Sequence, residues 1–194
     1  TQIRFEYPQY VPENCTACGS CYTVCPDSAI PGLVSTISDV FSTAISQVET
    51  GGTPTQYLRR ETKAIEKRLR SLLNKSGEKA NVTATLEQSI QEHLDKFDLP
   101  ADQKAKMKQE FTAFTAAIGG MQFAVTKPYW TNKETQKKGS GGLFSITLNP
   151  YTCKGCMECV DVCSDKALVA APQTPEAIAT MRTQWLWFHD VDIV

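Results

Sequence analysis

The chain has 194 residues, 41% of them apolar and 21% charged, with a formal net charge of -1. That balance fits a folded protein of one or two domains rather than a disordered tail, and it gives no whole-chain attraction to nucleic acid. No apolar run approaches the roughly 18 residues of a membrane helix, and the opening Thr-Gln-Ile-Arg-Phe-Glu lacks the basic-then-apolar plan of an export signal, so a cytoplasmic protein without membrane contact is expected.

In chain order, the first distinctive segment is CTACGSCYTVCP, with Cys15, Cys18, Cys21 and Cys25 in a C-x2-C-x2-C-x3-C run. Pro26 follows, its fixed φ suited to a helix start. From about Pro31 to Asn149 the pattern turns mainly helical. Leu33, Ile37, Val40, Phe41, Ala44, Ile45 and Val48 recur at helical spacing until Gly51, Gly52 and Pro54. A second helix is expected over Thr55 to Lys75 with Leu58, Ile65, Leu69 and Leu72 on one face, ending at Ser76-Gly77. A third uses Val82, Leu86, Ile90, Leu94 and Phe97. A fourth follows Leu99-Pro100 and carries Met107, Phe111, Phe114 and Ile118 to Gly119-Gly120. Four amphipathic helices can bury a small core of their own.

Met121 to Trp130 and Leu143 to Leu148 then read as two strands, separated by a polar, flexible stretch from Thr131 to Gly142 containing Lys133, Lys137 and Lys138. The second cysteine run is CKGCMECVDVCS, with Cys153, Cys156, Cys159 and Cys163 at the same spacing. Ser164 replaces the proline, which alters the turn more than any ligand. Finally Thr174-Pro175-Glu176 starts a helix over about 175–188, threonine as cap and proline at the first helical position, carrying Ile178, Met181, Trp185 and Phe188 inward.

All eight cysteines thus fall in two short windows, and none lies in the 127 residues from 26 to 152. A disulfide framework has no reason to repeat one tight spacing twice, and disulfides are rare in a reducing compartment. Zinc sites pair two C-x2-C knuckles across a longer gap, whereas each window here puts three cysteines on one loop and displaces the fourth. A cubane iron-sulfur cluster fits: thiolates at i, i+3 and i+6 reach three corners, and the fourth corner faces away. In bacterial two-cluster ferredoxins the fourth cysteine of each run ligates the other cluster. On that pattern one [4Fe-4S] cluster takes Cys15, Cys18, Cys21 and Cys163, and the other Cys153, Cys156, Cys159 and Cys25.

The windows repeat beyond their cysteines. An offset of 138 aligns Val24 with Val162, Asp27 with Asp165, Ala29 with Ala167 and Ile30 with Leu168, so each copy is expected to run strand, cluster loop, short helix, strand. Ala17, Gly19, Ser20 and Gly155 are small enough to let backbone N–H groups approach the cluster. Tyr22 and Val160, each one residue past the third cysteine, are placed to shield it from water.

The stretches YVPENCTACGSCYTVCPDSAI and GLFSITLNPYTCKGCMECVDVCSDKAL resemble the two halves of the ferredoxin domain inside 2-oxoacid:ferredoxin oxidoreductases, most closely the pyruvate:ferredoxin (flavodoxin) type. The Val-Pro-Glu-Asn lead-in and the Phe-Ser-Ile-x-Leu-x-Pro run at Phe144, Ser145, Ile146, Leu148 and Pro150 carry the resemblance past the cysteines. It covers about residues 5–34 and 121–190. It implies an internal electron wire, with thiamine diphosphate and Mg in other domains or subunits, ferredoxin or flavodoxin as acceptor, and a dimeric assembly. This chain shows no thiamine-diphosphate signature, no Gly-rich phosphate loop and no coenzyme A site, so an excised domain or a separate subunit is expected. The alternative is a stand-alone ferredoxin, or an iron-sulfur subunit of another redox complex, with a partner-docking insert.

The expected fold class is therefore α+β. A ferredoxin-like two-cluster domain over 1–32 and 143–194 is split by a helical subdomain over 33–120, and 121–142 form the return strand and loop. Residues 31–150 carry a balance of +4 and the remainder -5. The basic side chains concentrate in the second helix, at Arg59, Arg60, Lys63, Lys67, Arg68, Arg70 and Lys75. A solvated face with i,i+4 pairs such as Glu66 with Arg70 accounts for them, and a docking surface for an acidic carrier is the alternative. His93 and His189 read as ordinary surface or core-edge residues. No catalytic residue is expected in this segment.

Overall fold

The computed structural model describes residues 4–118 and 120–190. Strand β1 (Glu6–Tyr10) leads into the first cysteine loop, helix α1 (Ser20–Val24) and strand β2 (Gly32–Ser35). Helices α2 (Ile37–Thr50), α3 (Gln56–Ser76), α4 (Val82–Leu94) and α5 (Ala101–Ala117) follow, then a short α6 (Asn132–Gln136). Strand β3 (Leu143–Ile146), the second cysteine loop, α7 (Glu158–Asp161), β4 (Leu168–Pro172) and α8 (Pro175–Asp190) complete the order.

The strands pair across the halves of the chain. β1 runs antiparallel to β4, with Tyr10 opposite Leu168, and β2 runs antiparallel to β3, with Leu33 opposite Ser145. Each two-stranded sheet therefore takes one strand from each cysteine window, which brings the two ends of the chain together over the long middle segment. α1 packs against α7 across the same line. The result is a mixed architecture of helices and small sheets.

Two apolar clusters divide the interior. One is drawn from both ends and includes Tyr10, Cys21, Ile30, Leu148, Cys159, Leu168 and Met181. The other belongs mostly to the middle: Ile37, Phe41, Leu58, Leu69, Leu86, Met107 and Phe114 among others, joined by Trp187 from α8. Phe41 meets Phe114 edge to face at 5.1 Å, which ties α2 to α5. Fully burying aliphatic or aromatic side chains of this size contributes about 1.5–3 kcal/mol each.

Local chemistry explains the helix limits. Thr36 and Asp39 form a reciprocal capping box at the start of α2: the Asp39 amide donates to Thr36 Oγ1 at 3.1 Å, and the Thr36 amide to Asp39 Oδ2 at 3.2 Å. Leu33, which fits the helical spacing, lies before that cap and belongs to β2. In α3 the buried side is completed by Leu73 rather than Leu72, which is only half-buried. Phe97 lies beyond the end of α4 yet still packs on the helical core. α5 ends at Ala117, just before the expected Gly119-Gly120 stop; Gly119 falls outside the described residues, as do residues 1–3 and 191–194.

The stretch from Met121 to Trp130 does not form the expected strand. It makes one isolated bridge, Ala124 with Phe144, and then a π-turn over Lys127–Thr131. Pro128 has no amide to extend a ladder, and Trp130 is held instead by a 2.8 Å bond from its indole N–H to Asn74. The following segment, expected to be flexible, is tied to α3. Glu134 accepts from the Gly139 and Gly141 amides at 3.1 and 2.8 Å and pairs with Arg70 at 2.6 Å. In α8 Trp187 is buried, whereas Trp185 stacks on Phe188 at the surface edge.

Candidate metal centres

The internal repeat extends into the backbone. At the offset of 138, Ala17 and Gly155 have φ of 58° and 70°, Gly19 and Met157 85° and 65°, and Ser28 and Lys166 48° and 54°. Three left-handed positions recur in register although only two of the six residues are glycine. Left-handed backbone at non-glycine residues is costly, so the surrounding loop must hold it. The cross-connections are reciprocal too. The Val11 amide donates to Ala167 O at 2.8 Å and the Asn149 amide to Ala29 O at 2.7 Å. Thr16 donates to Asp165 at 2.8 Å, and Lys154 to Asp27 at the same distance. The two windows are related by an approximate two-fold.

That symmetry decides where the cysteines meet. Cys15, Cys18 and Cys21 line one cavity together with Cys163, which arrives from the other window; Tyr22, Phe144 and Ile146 form its apolar walls. On the other side Cys153 is within electrostatic reach of Cys25 and Cys156, and Cys159 of Cys153 and Cys156 and, less strongly, of Cys21 and Cys25. All eight cysteines are free thiols. The displaced ones are fixed alike: Cys25 Sγ accepts from the Ala29 amide at 3.3 Å, and Cys163 Sγ from the Ala167 amide at 3.2 Å.

The electrostatics of the sulfurs follow their depth. Burial pushes the Cys15 and Cys153 thiols up, Cys21 up to about 11 and Cys159 up to about 12, and the neighbouring cysteines add to the rise. Cys18 at the surface is lowered by the Ser20 amide and hydroxyl. The buried sulfurs therefore bind as thiolates only where positive charge is supplied among them, as iron does.

Among the described residues no three histidine, cysteine or carboxylate groups converge tightly enough for a single metal ion. A spread, all-sulfur donor set suits a polynuclear cluster with a thiolate at each corner rather than tetrahedral zinc. Tyr10 adds a second mark of fit. Its hydroxyl is buried beside Cys15, the one sulfur among its described neighbours that it approaches in hydrogen-bonding terms, and burial followed by the Cys15 charge pushes its pKa up, so it is held as a donor toward that sulfur. Gly155 is small for a packing reason: a Cβ there would lie 2.8 Å from Glu6 O. Tyr22 is 40% exposed over the first loop and Val160 half-buried over the second.

Sequence periodicity alone passes over two contributors. Tyr10 reads as an ordinary strand residue, and Arg4 precedes the first expected element. Arg4 is buried, and its guanidinium donates to the Cys153 carbonyl at 2.6 Å.

Residues 8–30 match the 4Fe-4S binding domain family, and residues 150–166 match a second family of the same description. No curated protein and no solved structure matches the chain. The two matched segments contain all eight cysteines. The two matches support an iron-sulfur, ferredoxin-like protein that transfers electrons through 4Fe-4S clusters. No helix among the described residues is long and apolar enough to cross a membrane.

Proposed function

We propose that Cys15, Cys18, Cys21 and Cys163 hold one 4Fe-4S cluster and that Cys153, Cys156, Cys159 and Cys25 hold the other. The observation that carries this reading is the presence of Cys163 in the cavity of the first loop, beside three cysteines more than 140 positions away in sequence. Each cluster, when bound, supplies one-electron redox chemistry. The protein's own part is to fix the eight sulfurs, to donate backbone N–H groups to Cys25 and Cys163, and to exclude water with Tyr22, Phe144 and Ile146. Contact between α1 and α7 keeps the two sites adjacent, which favours electron passage between them.

The wider role we propose is that of the electron-transfer domain or subunit of a pyruvate-type 2-oxoacid:ferredoxin oxidoreductase. Electrons from thiamine-diphosphate-dependent decarboxylation elsewhere in the enzyme pass through this segment to ferredoxin or flavodoxin. The support is the sequence beyond the cysteines. Pro12–Asn14 forms a 3-10 turn that sets Cys15, and Asn14 reaches the Lys166 carbonyl at 3.3 Å. β3 supplies Phe144 and Ile146 to the cavity wall. In this reading the helical middle is an insertion with its own apolar cluster. Its basic helix serves chiefly internal pairing: Arg59 with Glu49, Arg68 with Glu92, and Arg70 with Glu66 and Glu134.

Anaerobic assay of the complete protein with pyruvate, coenzyme A and thiamine diphosphate tests the wider role. Reduction of added ferredoxin that is lost on Cys21→Ala supports it. Cluster-bearing protein, alone and with its co-purifying partners, that passes electrons only from other donors contradicts it.

A further inference from the structure

The two cysteine sites are alike in backbone and unlike in charge. Arg4 is 7% exposed, and among the described residues its hydrogen-bond partners are neutral. Its Nη1 donates to the carbonyls of Cys153 at 2.6 Å and Pro150 at 3.2 Å, its Nε to the Gln173 side chain, and its Nη2 faces Met181 sulfur at 3.8 Å. At the offset of 138 the corresponding position is Gly142, with no side chain. Arginine stays charged in proteins, and a buried charge facing only neutral groups is costly unless an opposite charge lies near. Arg4 holds the carbonyl of Cys153, which places its charge beside the sulfur set of that loop. At the surface, Lys154 stands where the first loop has Thr16 and pairs with Asp27, but it is exposed and screened like the other surface charges. Glu158 and Asp161 replace Ser20 and Thr23 with the opposite sign, but both are exposed, where water and salt screen them.

We propose that Arg4 is the buried counter-charge of the set Cys153, Cys156, Cys159 and Cys25, and makes that set the higher-potential electron site of the two. The inference rests on the cluster ligation proposed above. One electron arriving there makes or breaks no bond. It adds one negative charge beside a fixed cation in a low-dielectric setting, which favours the reduced state, and the donor is oxidised by one electron.

The test is an EPR-monitored redox titration of the full chain, prepared anaerobically and carrying about eight iron atoms. Two waves are expected. Cys156→Ser alters the higher one and Cys18→Ser the lower one. Arg4→Gln lowers only the higher wave, and Arg4→Lys, which keeps the charge, shifts it less. The proposal is overturned if the higher wave answers to Cys18→Ser, or if Arg4→Gln moves neither wave or both equally. Should Arg4→Gln not fold, the cysteine variants and Arg4→Lys still decide the order. Iron content separates the two readings: about eight irons with the opposite order removes the role of Arg4 alone, whereas absence of iron removes the cluster reading itself.

Discussion

The amide of Ala167 donates to the sulfur of Cys163 at 3.2 Å, and the carbonyl of the same Ala167 accepts from the Val11 amide at 2.8 Å. One residue thus orients the displaced cysteine of the second window and binds the strand that leads into the first. Ala29 repeats both contacts, toward Cys25 and Asn149. Ligand placement and the closure of the two halves are therefore one feature of the fold.

Gly155 and Ala17 occupy equivalent places, yet only Gly155 is crowded. An added Cβ there would meet Glu6 O and Arg4 Cβ, each at 2.8 Å, at a φ of 70°. Gly155→Ala is expected to cost about 2 kcal/mol or more and to reduce iron content, while Ala17→Gly leaves both nearly unchanged. Thermal unfolding with iron analysis checks this; equal tolerance of both changes would contradict the packing argument.

Glu110 of α5 is buried and accepts from the Tyr57 and Leu58 amides at 2.8 and 3.0 Å, capping the start of α3 from another helix. Glu110→Ala leaves those amides without a partner and is expected to destabilise the helical cluster by about 2 kcal/mol. Glu110→Gln, which retains an acceptor, should cost less. Chemical denaturation of the three proteins gives the order.

Burial raises the Glu134 carboxyl, but the amides of Gly141 and Gly139 and then Arg70 outweigh it and hold the group below its ordinary value of 4.5. Its contribution is complete above that value and is lost as pH falls through the lowered one. Glu134→Gln, a neutral replacement at pH 7, should speed amide exchange at Gly139 and Gly141. Unchanged exchange would show that the loop is held by other contacts.

The Tyr10 hydroxyl is placed to donate to the first sulfur set. Hydrogen bonds to cluster sulfurs raise the reduction potential, so Tyr10→Phe is expected to lower the potential of the Cys15 site and leave that of the Cys153 site in place. A redox titration that shows both waves unmoved would remove the hydroxyl from this role.

The cysteine sites were legible because their chemistry is written in spacing: C-x2-C-x2-C-x3-C occurs twice, and the offset of 138 carries through to backbone φ. α2 and α5 were legible because their apolar positions follow the helical period. Leu33 was not, since one apolar residue fits either period and the Thr36 capping box excludes it from α2. Pro128 limits strand formation over 121–130, an effect that apolar content hides. Arg4 and Glu110 act through partners tens of residues away or more, and Glu134 pairs with Arg70 at 64 positions, so no local window contains the reason for their placement.

The crossed sharing of cysteines is the central claim, and removal of one displaced ligand tests it most directly. Cys163→Ala protein, prepared anaerobically and examined by iron analysis and EPR, is expected to lose or convert the cluster held by Cys15, Cys18 and Cys21 and to retain the signal of the other. Cys25→Ala should do the reverse. Selective loss of the Cys153, Cys156 and Cys159 cluster on Cys163→Ala would contradict the crossing.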